Sequence, residues 1–142
     1  HVERPGSLEW ATWVVLLALG GLIGNLVLSL LDHAQNGFFR PVEWSAVIAS
    51  AFAVSFVGMA VLRPVPVLIR ASCLVLAFQS VIGVLGFALH LRADLSRPGK
   101  TLLEKAIYGA PVFAPLLFVN LAILAALGLE ALRRARAANA AG

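Results

Sequence analysis

Apolar residues run almost unbroken through four stretches of this chain: Trp10–Leu31, Trp44–Leu62, Ala71–Leu91 and Ala106–Leu129. None of the four contains Asp, Glu, Lys or Arg. A transmembrane helix needs about 20 mostly apolar residues, so the pattern predicts four membrane-spanning helices. Only two short tails and three connections remain between and beyond them. The expected fold is therefore an all-α integral membrane protein, an antiparallel four-transmembrane-helix bundle. Residues 1–142 form one domain, with a short interfacial helix before the last span.

The connections carry local signals. Ser7 suits the N-cap of the first helix, with Glu9 favourable in its first turn. Asn36-Gly37 is a turn signal, and Pro41 fits the start of the second helix. Phe38, Phe39 and Trp44 match an aromatic belt at a membrane surface. Arg63-Pro64-Val65-Pro66 is short and stiff, which makes helices two and three neighbours. Thr101 followed by Glu104 is a capping-box pattern that would open the interfacial helix from Leu102 to about Tyr108. Gly109 and Pro111 then mark a break, and Pro115 is expected to kink the fourth span.

Composition sharpens this picture. Hydrophobic residues make up 61% of the 142 and charged residues only 13%, with a mean hydropathy of +0.93. A soluble domain carries roughly 25% charge, so a soluble globular protein and a disordered chain are both excluded. The first apolar run of about 22 residues exceeds the roughly 7–15 of a signal peptide and is expected to stay in place. Cys73 is the single cysteine, which leaves no intrachain disulfide or multi-cysteine metal site. The isoelectric point near 10.2 comes from basic residues at span ends, an anchor pattern, so no nucleic-acid partner is expected. Arg4, Arg63, Arg70, Arg133, Arg134 and Arg136 fall on one face. Arg40, Arg92, Arg97, Lys100 and Lys105 fall on the other. Six against five places both termini in the cytoplasm by the positive-inside rule.

Polar groups inside lipid are costly, so their placement is the best guide to chemistry. On the third helix Ser72, Gln79, Gly83, Gly86 and His90 follow at spacings of 7, 4, 3 and 4 and share one face. The first helix offers Gly21, Asn25, Ser29 and Asp32, flanked by Gly24 and His33. The second offers Ala51, Ser55 and Gly58. Such stripes let membrane helices approach closely and hydrogen-bond, and bundle packing explains them most simply. Asn25 and Gln79 are expected to bond across the bundle, and Asn120 either to do so or to face a partner subunit.

His90 and His33 end near the same membrane face, with Asp32, Glu43, Asp94 and Glu104 around them. Two imidazoles from different helices could hold a haem iron or a metal, with Gly83 and Gly86 as a flat seat for the macrocycle. Haem b would be the cofactor of such a pair. His33 points off its stripe, and no HxxxH or ExxH pattern supports a metal. Interfacial histidines bonded to headgroups, water or a carboxylate are the simpler reading. Asp32 and Glu43 could pair for acid–base work, though solvated loop charges need less explanation.

No nucleophile triad or phosphate-cradling loop is present, and no ionised residue lies in mid-span, which disfavours an enzyme and a coupled carrier. The leading expectation is a small non-enzymatic integral membrane subunit or anchor of a larger, redox-linked complex. It would sit in a bacterial inner membrane, with the lipid bilayer and other subunits, or further copies of itself, as partners. A haem- or metal-binding electron-transfer protein using His90 and His33 is the first alternative. A small oligomeric channel or carrier is the second.

Overall fold

A computed structural model describes residues 7–96, 98, 101, 103–104 and 112–141. Four long helices make up nearly all of them: α1 (Leu8–Gln35), α2 (Glu43–Leu62), α3 (Pro66–Leu95) and α4 (Leu116–Ala141). All four are long and apolar enough to cross a membrane. No strand occurs among the described residues.

Local chemistry sets the ends of these helices. The Ser7 hydroxyl accepts from the Trp10 N–H at 3.1 Å, satisfying one orphan donor at the start of α1. Pro66 opens α3 at a position where its missing N–H costs nothing. At the end of α1, the Phe38 N–H donates to the His33 carbonyl and the Gly37 N–H to the Ala34 carbonyl. This pair of bonds is a Schellman motif, and it needs the left-handed conformation that Gly37 adopts at φ 66°. Phe38 follows it at φ 48°, a conformation uncommon outside glycine.

Two expectations about the last span are corrected. The helix begins at Leu116 rather than Ala106, after turns at residues 112–115, while 106–111 lie outside the described residues. Pro115 therefore does not kink the span. It precedes the first helical residue, where no intrahelical N–H is required, and its carbonyl accepts from the Phe118 N–H. The capping box ahead of it is present. The Glu104 carboxylate accepts from the Thr101 N–H at 2.8 Å, and the Thr101 hydroxyl accepts from the Glu104 N–H at 3.2 Å. The Thr101 N–H and hydroxyl hold the Glu104 carboxyl below its usual pKa. The helix expected from Leu102 to Tyr108 lies mostly outside the described residues.

In the bundle, α1 packs on α2 and α4, and α3 packs on α2 and α4. Helices α1 and α3 occupy one diagonal, with no Cα atoms within 8 Å of each other among the described residues, while α2 and α4 approach more closely across the other. Among the described residues, eight of the sixteen buried apolar side chains are alanine. Small residues therefore line the interior and large ones such as Leu17, Val67, Leu74 and Leu127 point outward. That inverted distribution suits helices joined by close van der Waals contact rather than by escape from water.

Glycines mark the closest approaches. A Cβ at Gly83 would lie 2.8 Å from the Phe118 Cβ and 2.8 Å from the Pro115 carbonyl oxygen, and one at Gly86 3.0 Å from Pro115. On the other side of α4, a Cβ at Gly128 would meet Val15 at 2.9 Å, and one at Gly21 would meet the end of Leu121.

Candidate functional site

The polar interior is built on three helices, in the half of the bundle nearest the α1–α2 connection. Counting from hydrogen bonds and contacts between helices places its members in depth. The Ser72 hydroxyl lies 3.0 Å from the Phe56 carbonyl and 2.8 Å from the Leu68 carbonyl, tying α3 to α2. Seven residues further along α3 lies Gln79, and six residues back along α2 lies Ser50, each about 10 Å from that tie. The Gln79 side-chain N–H donates to the Phe118 carbonyl at 3.4 Å, which sets the level of α4. Asn25 of α1 falls there too, one turn beyond the Gly21–Leu121 contact. Three helices thus bring an amide, a hydroxyl and an amide to one depth.

Each of these side chains is buried, with Ser50 and Gln79 fully so. Each also keeps a buried atom without a hydrogen-bond partner among the described residues: Asn25 Nδ2, Ser50 Oγ and Gln79 Oε1. An unpaired buried polar group costs about 1–3 kcal/mol. Below this depth the fully buried Ser72 is joined by apolar side chains, Val15, Ala18, Val57, Ala60, Ile69 and Leu129. Toward the connection it continues polar through buried Ser29 and Asp94 and half-buried His33, Glu43 and His90.

His33 is held by the turn that ends α1. The Schellman geometry brings the Phe38 ring to 6.1 Å from the His33 ring. Phe38 stacks on Trp44 at 3.9 Å and thereby fixes the first turn of α2. Glu43, next to Trp44, then sits with Oε2 3.7 Å from His33 Nδ1. That spacing is electrostatic contact, too long for a hydrogen bond. The carboxylate beside His33 is thus Glu43. Asp32 is exposed, and its backbone carbonyl accepts from the Asn36 side chain.

His33 proves to lie on the buried line of α1, and Asp32 off it. The line runs Ala11, Val15, Ala18, Leu22, Asn25 and Ser29, and half-buried His33 continues it. Of the stripe drawn from sequence through Gly21, Asn25, Ser29 and Asp32, Asn25 and Ser29 are buried on that line, Gly21 is half-buried beside it, and Asp32 is exposed. On α2 the stripe drawn through Ala51, Ser55 and Gly58 is also replaced. Ser55 is exposed and returns its hydroxyl to the Ala51 carbonyl at 2.8 Å, while the buried face is Ala49, Ser50, Ala53, Val57 and Ala60. Ser50 was missed because both sets have helical spacing. The available signal was the number of alanines on its side.

On α3 the expected stripe stands: Ser72, Gln79 and Gly83 are buried, and Gly86 and His90 half-buried. His90 Nδ1 is buried without a hydrogen-bond partner among the described residues. His90 and His33 belong to the diagonal pair of helices, whose Cα atoms stay more than 8 Å apart among the described residues. The flat seat expected at Gly83 and Gly86 is filled by Pro115, Phe118 and Val119. No group of three His, Cys, Asp or Glu side chains that could hold a metal ion occurs among the described residues. Asn120, on α4, is exposed on the outside of the bundle. No family model, curated protein or solved structure matches this chain.

Proposed function

We propose that this chain is a small non-enzymatic integral membrane subunit or anchor of a larger, redox-linked complex in a bacterial inner membrane. Its four spans would form an antiparallel bundle. The contact pairs Val15 with Gly128 and Gly21 with Leu121 support that direction for α1 and α4, since one number rises as the other falls. Gly83 with Phe118 and Gly86 with Pro115 support it for α3 and α4. Both termini then share the cytoplasmic face, and residues 32–43 and 92–108 share the other. Reporter fusions at Asn36 and Gly142 should give opposite signals; matching signals would refute the arrangement.

The observation that carries the subunit reading is Asn120. It neighbours Leu121, which meets Gly21 at the midpoint of α1, so in a bilayer its amide would sit near the middle. There it is exposed and makes no side-chain hydrogen bond among the described residues. Lipid tails offer an amide no partner, whereas a neighbouring helix does. Half-buried His33 and His90 at the opposite-face connections are the groups that would serve a redox-linked assembly.

A second reading, haem or metal ligation by His90 and His33, draws support from the unpartnered His90 Nδ1, since a ligand nitrogen needs a free lone pair. The filled seat at Gly83 and Gly86 weighs against haem there. One preparation separates the readings. Tagged protein isolated in mild detergent should retain a stoichiometric partner, either a different membrane protein or a second copy of this chain, and Asn120→Leu should release it. A Soret band that disappears in His90→Ala would favour the cofactor reading instead. Wild-type protein that emerges alone and colourless would sink both.

A further inference from the structure

The residues around Asn120 have a donor, acceptor and shape pattern of their own. On α4, Leu121 and Gly128 face α1, to one side of the buried line Phe118, Ala122, Ala125 and Leu129. At 100° per residue Asn120 lies further around in the same sense, on the outer edge of the α1–α4 seam. On α1 the residue that meets Leu121 is Gly21, and Gly20 and Gly24 lie further around toward the outside. Both are exposed, and a Cβ added at either would meet nothing within 4 Å. Their depth is that of Asn120.

We propose that this outer seam is a self-association surface, and that the helix seated on it belongs to a second copy of this chain. The inference rests on the reading above that Asn120 docks another helix. A carboxamide presents N–H donors and a carbonyl acceptor together. In a two-fold interface the same residue faces itself across the axis. Two Asn120 side chains then donate to each other's carbonyls, and both amides are satisfied at once. An apolar partner could satisfy neither group. The bare backbone at Gly20 and Gly24 lets the second copy approach to the distance those bonds need. No charged side chain lies at that depth of the seam to repel a like surface.

The test uses two copies of the full chain carrying different affinity tags, expressed together in one membrane and captured through one tag in mild detergent. The second tag should be captured with the wild type. Asn120→Leu and Gly24→Leu should each weaken the association about 5- to 30-fold, and Asn120→Gln should keep it. Asn120 is exposed and a Cβ at Gly24 would meet nothing within 4 Å, so both leucine variants should melt as the wild type does. If one of them misfolds, the other still decides the outcome. Absence of the second tag from wild-type captures overturns the proposal, as does capture that neither leucine variant weakens. If the wild type instead holds a different membrane protein through Asn120, self-association is overturned and the docking reading survives. If it holds neither, both fall.

Discussion

Replacing Gly83 with leucine is expected to lower the thermal midpoint in detergent substantially, by a destabilisation of about 1–3 kcal/mol from overpacking. A Cβ there would stand 2.8 Å from the Pro115 carbonyl oxygen and 2.8 Å from the Phe118 Cβ. The first of these is backbone and the second is fixed to it, so neither can swing aside as a side-chain tip would. The loss should extend to the Gln79 bond to the Phe118 carbonyl, because separating α3 from α4 lengthens a contact already at 3.4 Å. Gly21→Ala offers a contrast, since the nearest atoms to its added Cβ belong to the flexible end of Leu121. Val81→Leu, on the exposed side of α3, should be nearly silent. Equal melting of the Gly83 and Val81 variants would show that α3 and α4 do not meet along this face.

Two serine-to-alanine changes should move stability in opposite directions. Ser50 is fully buried with an Oγ that has no partner among the described residues. Ser50→Ala removes that unpaired hydroxyl at almost no change in volume, and a gain of about 1 kcal/mol is expected. Ser72 is equally buried, but its hydroxyl lies within hydrogen-bond distance of the Phe56 and Leu68 carbonyls. Ser72→Ala should cost about 0.5–1.5 kcal/mol. Thermal melts of the two variants against the wild type, in one detergent, read the sign directly. A loss on Ser50→Ala would mean that its hydroxyl is satisfied in the membrane, by water or by a bound molecule at the depth of Asn25 and Gln79. That result would turn the polar depth from a packing feature into a binding site.

The features that proved legible in the sequence are those encoded within a few residues. Ser7 caps α1, Thr101 and Glu104 form their reciprocal pair, and Asn36-Gly37 ends a helix, because each needs only side chains and backbone groups one turn apart. The α3 face was legible for a related reason. Gln79 lies too deep in its span to be left in lipid, and Ser72, Gly83 and Gly86 fall on its side by spacing alone. The Glu43–His33 contact was not legible, since it depends on Phe38 folding back onto Trp44.

The sequence by itself determined that there are four helices of spanning length and where each falls along the chain. Those are matters of apolar run length and charge position, and the bilayer imposes both independently of any neighbour. The tertiary structure alone decided how each helix is turned. In water, polarity would mark the outer face of every helix. Here the exposed leucines and valines and the buried alanines are all apolar, so the contrast across a helix nearly vanishes. On α2 two sets of small residues had helical spacing, and only contact with α1 and α3 selected Ser50 over Ser55. On α1 the same indifference put Asp32 in place of His33. What breaks the tie is the fit of Gly83 to Pro115 and of Gly128 to Val15, a matter of shape between segments far apart in the chain.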